Sequence, residues 1–328
     1  MKDVMKKAIN YYRIIGLVIM CSFWIFLPHY FSFAAEPPKI VAMDPILSQW
    51  LLAVKCGEGA KDILITEVGK NEYMQDIFPG LKNSIMRKKI DNAESLMLLN
   101  PKMIFIKTRT DHNYSELKKS GVEVICFDFE TIEDIFNGVS IMGRKLKMEK
   151  RAESLVQSFK NAMEETRKNV EKKSKLTSKP RVYFANSNIY NSTGRGMYQN
   201  FLIETAGGAS VTSNSSGSKI QISVEELIKY DPQIIITAAY CSDTPDMIMK
   251  NDKLKDLSAV KNKKIFVMPR YVTSWDMPAP ESILGVMWLA EKFDSNLKLD
   301  LNKRMKDFYL LFYDIKMNGG EAEKILNR

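Results

Sequence analysis

Three arginines stand where chemistry would be expected. Arg109, Arg195 and Arg270 each fall in a polar segment just after an apolar run, in company with Tyr114, Tyr190, Tyr240, Tyr271 and Trp275. A guanidinium grips carboxylates and oxyanions, and an aromatic face takes flat or apolar surfaces. Together they suit a large anionic chelate or a ring bearing propionates; converging on one point, the three arginines would also suit a small oxyanion. Taken singly, each arginine reads equally as a solvated loop charge, and Trp275 as packing at an edge. His112 is the one histidine beyond His29. One histidine cannot supply a zinc-type ligand cluster. It is either an axial ligand to a metal complex, with Tyr114 nearby, or an ordinary loop side chain. Enzyme chemistry finds little support: a G-x-S-x-G elbow is absent, and one histidine restricts any catalytic triad. Phosphate-binding glycine motifs are absent too. "TGRGMYQN" (193–200) sets Gly194 and Gly196 ahead of a helix pattern, which either admits an anion to backbone N–H groups or is a plain turn.

Short apolar runs alternate with helical patterns and position these residues. "KIVAM", "DILITEV", "KMIFIK" and "VEVICFDF" read as strands in the first part, and "RVYFAN", "QIIITAA" and "KKIFVMP" in the second. Such runs describe parallel sheets covered on both faces, an α/β fold. Ligands of such sheets meet the loops after the strand C-termini, where the candidate residues fall. Between the two sets, apolar residues from Ile135 through Val170 keep helical spacing without a proline. One helix over 131–173 would reach about 60 Å, and so reads as a strut between two bodies.

Lys6, Lys7 and Arg13 precede an uncharged stretch from Ile14 to Ala35, and Ser32-Phe33-Ala34 offers a cleavage site. This pattern predicts export, by a cleaved signal peptide or on a membrane anchor. The first 34 residues account for three of the nine net positive charges. The remainder is mildly basic without a dense basic arm, so nucleic acid is not an expected partner. Of the four cysteines Cys21 lies in the export segment, and the remaining Cys56, Cys126 and Cys241 are an odd set that forms no disulfide framework. Cys126 reads as a small core residue.

The chain also repeats itself. "AESLMLLNPKMIFI" (93–106) and "VEELIKYDPQIIIT" (224–237) share a Glu, a Leu two places on, Asn or Asp before Pro, and then an apolar run. The expected organisation is residues 1–34 as the export segment, 35–130 as one lobe, 131–175 as the long helix and 176–328 as a second lobe. With "KIVAMDPILSQWLLAV", "SGVEVICFD", "TGRGMYQNFLIETAGG" and "PAPESILGVMWLAEKF", the order of these segments resembles the class III substrate-binding proteins of ABC importers, which serve ferric siderophores, haem and cobalamin. The resemblance implies two similar α/β lobes with parallel-rich sheets, joined by one long helix, with a ligand cleft between them. It implies a monomeric receptor, not an enzyme, with no cofactor of its own. It would deliver a metal chelate, or alternatively molybdate or tungstate, to a permease dimer carrying ATPase subunits. It also implies that Glu94 and Glu225 dock on permease arginines, although a glutamate at either place would equally serve helix capping. Residues 67–91 depart from the family pattern; within them Tyr73 and Arg87 are the candidates for the cleft.

Overall fold

The computed structural model describes residues 40–55, 62–65, 78, 93–108, 117, 119–174 and 176–326. The chain divides into a segment, Met1–Pro37, and a compact unit, Pro38–Arg328, to which all the described residues belong. The first sheet is built from β1 (Ile40–Ala42), β2 (Ile63–Ile65), β3 (Met103–Lys107) and β4 (Glu123–Phe127), with helices α1 (Pro45–Val54) and α2 (Ala93–Met97) between them. Its strands are all parallel, in the order β2-β1-β3-β4. Helices α3 (Ile132–Leu146) and α4 (Glu149–Lys173) come next.

The second half starts with β5 (Arg181–Ala185), β6 (Asn191–Thr193), α5 (Tyr198–Thr205), β7 (Ala209–Ser210) and β8 (Lys219–Gln221). Then come α6 (Val224–Tyr230), β9 (Ile234–Thr237), α7 (Pro245–Met249), α8 (Ser258–Lys261) and β10 (Ile265–Val267). Helices α9 (Ser282–Phe293), α10 (Leu301–Tyr313) and α11 (Gly319–Leu326) end it. Its parallel sheet runs β7-β5-β9-β10. By order of appearance within each half, both sheets read second, first, third, fourth. The sequence echo is therefore a structural repeat. Asn100 and Asp231 both take left-handed backbone, at φ 46° and 38°, immediately before the prolines that open β3 and β9. Short polar side chains tolerate that conformation best among non-glycine residues.

Period-two alternation splits each sheet between two cores. In β3, Phe105 faces the large core while Ile104 and Ile106 face a smaller one under α2. In β5, Val182 and Phe184 join the same large core, and Tyr183 and Ala185 face a separate cluster. One apolar core thus runs from the first sheet, through α1, α3, α4, α9 and α10, to the second. Trp50 on α1 is fully buried in it, 6.0 Å from the Phe159 ring, and its Nε1 donates to the Pro278 carbonyl at 3.0 Å.

The uninterrupted helix expected over 131–173 is two helices. α3 opens with a capping box between Thr131 and Asp134 and ends at Lys147, which is left-handed at φ 57°. The chain then doubles back, so that Phe136 and Phe159 meet at 5.7 Å and Ala152 packs on Gly143. Of the two, α3 belongs to the first lobe and α4 spans the lobes, over about 37 Å. At its start Arg151 donates to the carbonyls of Ala53, Leu311 and Phe312. Near its end Val170 lies under Gly207 of the second lobe. Cys126 is exposed instead of buried, because β4 is an edge strand that turns Ile125 and Phe127 inward. Among the described residues no helix is long and apolar enough to cross a membrane, and the predicted export segment lies outside them.

The candidate cleft between the lobes

In each sheet the strand order reverses beside the first strand, which is where open α/β sheets receive ligands. A cleft of about 650 Å³ opens there. Asp44, Pro45 and Ile46 follow β1, Lys107 ends β3, and Phe129 and Glu130 follow β4. Facing them, Asn186 and Ser187 follow β5, Tyr240 follows β9, and Thr273, Met277 and Pro278 follow β10. Thr193, Met197, Tyr198, Gln199, Ser218 and Lys219 complete the second wall, from the antiparallel β6–β8 pair and the start of α5.

On the first wall the charges are largely committed. Asp44 caps α1, accepting from the N–H groups of Ile46 at 2.8 Å and Leu47 at 3.1 Å. Lys107 lies 3.8 Å from Glu130. Phe129 has a φ of 46°, a strained value for a bulky residue and a kind of strain that gathers at functional sites. It is held by stacking on Phe127 at 5.5 Å and by the bare backbone of Gly138, where a Cβ would come within 2.7 Å of the ring.

Two buried carboxyls hold the second wall. Glu281 accepts from Val272 N–H at 3.0 Å, from Thr273 N–H and from the Tyr309 hydroxyl. Burial is the main cause that pushes its pKa up to about 7, against those hydrogen bonds. Asp276 is also fully buried; it accepts from Ser274 Oγ and, at 3.4 Å, from Gln199 Nε2. Burial raises its pKa as well. Gly285 lets α9 press on this loop, since a Cβ there would lie 2.5 Å from the Trp275 carbonyl.

Of the side chains proposed for the cleft from sequence, Tyr240 lines it. Arg195 and Arg270 are exposed and do not line it; Arg195 donates to the Asn214 carbonyl at 3.1 Å. Trp275 is fully buried behind the loop, in the shared core. Tyr271 stands edge-on to Tyr309 at 5.1 Å. Tyr190 packs on the second lobe's own core, where its hydroxyl accepts from Asn251 Nδ2. The expected convergence of arginines and aromatics is therefore not formed by these side chains. Arg109, His112, Tyr114, Tyr73 and Arg87 lie outside the described residues. The neutral Ser, Thr, Asn and Gln groups of the second wall were missed, because those residue types between strands read as turns.

Glu94 and Glu225 are exposed, each in the first turn of its helix, at equivalent places on the two lobes. Capping does not occupy Glu225. Its neighbour Glu226 closes the box with Ser223, accepting from the Ser223 N–H at 2.8 Å.

The sequence from 40 to 272 matches the periplasmic binding protein family. The chain belongs to that family. The binding protein is 25% identical over 281 residues to the molybdate-binding protein MolA of Haemophilus influenzae, covering 75% of this chain and 77% of that one. It is 20% identical over 288 residues to the vitamin B12-binding protein of Vibrio parahaemolyticus, covering 84% and 98%. A solved periplasmic solute-binding protein from Veillonella parvula superposes with a TM-score of 0.72 at 24% identity, covering 89% of this chain and 92% of that one. The two-lobed class III architecture implied by the sequence is thus the fold of the binding protein and of its relatives.

Proposed function

We propose that the chain is the extracytoplasmic solute-binding component of an ABC importer. It captures a metal chelate of the siderophore, haem or corrinoid kind in the cleft and presents it to a permease. The observation that carries this reading is the cleft itself, at the switch points of two matching sheets and walled by both lobes. Its volume suits an organic ligand, since clefts of roughly 300–1,000 Å³ take drug-sized molecules. Glu94 and Glu225, exposed on equivalent helices, supply one anionic contact per lobe for permease arginines.

A small oxyanion is the second reading, favoured by the molybdate-binding relative. Thermal unfolding with iron–siderophore complexes, haem, cobalamin, molybdate and tungstate separates the two. Ligand at a hundred times its Kd stabilises by about 2.7 kcal/mol. Stabilisation by chelates and not by molybdate or tungstate supports the first reading, the reverse supports the second, and no stabilisation across the panel refutes both.

A further inference from the structure

Two helices open on the cleft with their N-termini, and they differ in what fills them. At α1 the cleft-lining carboxylate of Asp44 already accepts from the first N–H groups. At α5 the cap position is Met197, which offers no side-chain acceptor. The N–H groups of Tyr198 and Gln199 precede the first intrahelical bond, and they meet no acceptor among the described residues. Beside them in the cleft wall, Thr193 is 1% exposed and its Oγ1 has no partner among the described residues. Lys219 is the register partner of Thr193 across the antiparallel β6–β8 pair. Directly opposed residues of an antiparallel pair share a face, and both line the cleft. Lys219 forms no ion pair among the described residues.

We propose that the start of α5, with Thr193 and Lys219, is an anion subsite that holds a negatively charged oxygen group of the ligand. This rests on the receptor reading and narrows it to ligands carrying a carboxylate or an oxyanion. The helix end supplies two N–H donors and a partial positive charge, Thr193 a hydroxyl and Lys219 a full charge. The Gln199 Oε1, buried and without a partner among the described residues, is an acceptor for an O–H or N–H of the ligand beside that group. The nearby carboxyls do not fill the site. Glu130 lies beside Lys107, Asp44 caps α1, and Asp276 is wholly buried under Ser274 and Gln199.

The test uses the chain's own device at α1. Met197 has the extended backbone of a capping residue, φ −78° and ψ 145°, so Met197→Asp should cap α5 without lowering the thermal midpoint, while seating a carboxylate where the ligand's anion would lie. Lys219→Gln and Thr193→Val remove the other donors. Binding is measured calorimetrically with molybdate as a free oxyanion, with haem and ferric dicitrate as carboxylate-bearing ligands, and with a carboxylate-free iron trihydroxamate. The expected result is that the wild type binds molybdate or a carboxylate-bearing ligand, and that Met197→Asp weakens it at least about tenfold and Lys219→Gln several-fold. Which ligand responds identifies the source of the anion. Unchanged affinity in all three variants overturns the subsite and leaves the receptor reading standing. So does a wild type that takes only the trihydroxamate. A wild type that binds nothing in the panel overturns both.

Discussion

Glu281 makes stability pH-dependent in a direction opposite to that of most paired carboxylates. Its side chain is fully buried, and its folded pKa of about 7 stands above the ordinary 4.5. Between those values the native chain keeps a proton that the unfolded chain has released. The stabilisation is therefore complete below about pH 4.5, is lost as the pH rises to 7, and is flat above. The difference between the two pKa values sets a ceiling of about 3 kcal/mol, at ~1.4 kcal/mol per pH unit. Between pH 5 and pH 8 the expected loss is about 2.5 kcal/mol. Carboxylates whose pKa is lowered, such as Glu226 and Asp231, lose their contribution only below their ordinary values, outside this window. Asp276 shares the sign of Glu281, so some slope survives when Glu281 alone is changed. Urea unfolding of the wild type and of Glu281→Gln at pH 5 and pH 8 measures the effect. The wild type should be less stable at pH 8, the variant should lose most of that fall, and adding Asp276→Asn should remove the rest. A Gln variant with the wild-type pH dependence would refute the reasoning.

Three further outcomes are expected. Charge reversal of Glu94 and Glu225 should leave ligand affinity within about twofold and abolish uptake in cells, the single variants falling between; unimpaired uptake by the double variant would remove the docking role. Arg151→Met should cost about 2 kcal/mol in urea unfolding, because the guanidinium joins carbonyls at the ends of α1 and α10; a loss under ~0.5 kcal/mol would show those bonds to be exchangeable with water. Gly285→Ala should destabilise by about 1–3 kcal/mol, since its Cβ would overlap the Trp275 carbonyl; unchanged stability would mean that the 270–278 loop yields freely.

The repeat, the parallel sheets and the strand-end location of the cleft were legible because each follows from local pattern. Alternation in "KMIFIK" and "QIIITAA" fixes the buried strands, and Asn100-Pro101 and Asp231-Pro232 mark how each is entered. The break at Lys147 was hidden. Lysine seldom takes left-handed backbone, and the one cue lies in phase instead of residue type: Leu155 follows Met142 by about 3.6 turns, which would put the two on different faces of a continuous helix. For Arg195 and Arg270 the reason is different. Proximity to a strand end places a loop at the cleft rim but not the direction of each side chain, and Arg195 and Arg270 turn to solvent. For Trp275 a signal existed: Gly285 inside the apolar run "ILGVMW" marks a close approach of backbone, and the tryptophan loop is what approaches. The uncapped start of α5 was also readable, since "RGMYQN" has no Ser, Thr, Asp or Asn at its cap, in contrast to "MDPIL" at α1.

The apolar core that threads both sheets has a consequence for how this molecule comes apart. Phe105 of the first half and Phe184 of the second sit in one continuous cluster, with Trp50 and Phe159 between them. Cutting the chain at residue 175 would expose that middle layer on both fragments. Heating should therefore melt the two halves together, as a single heat-capacity peak, and neither half should be recoverable as a folded piece.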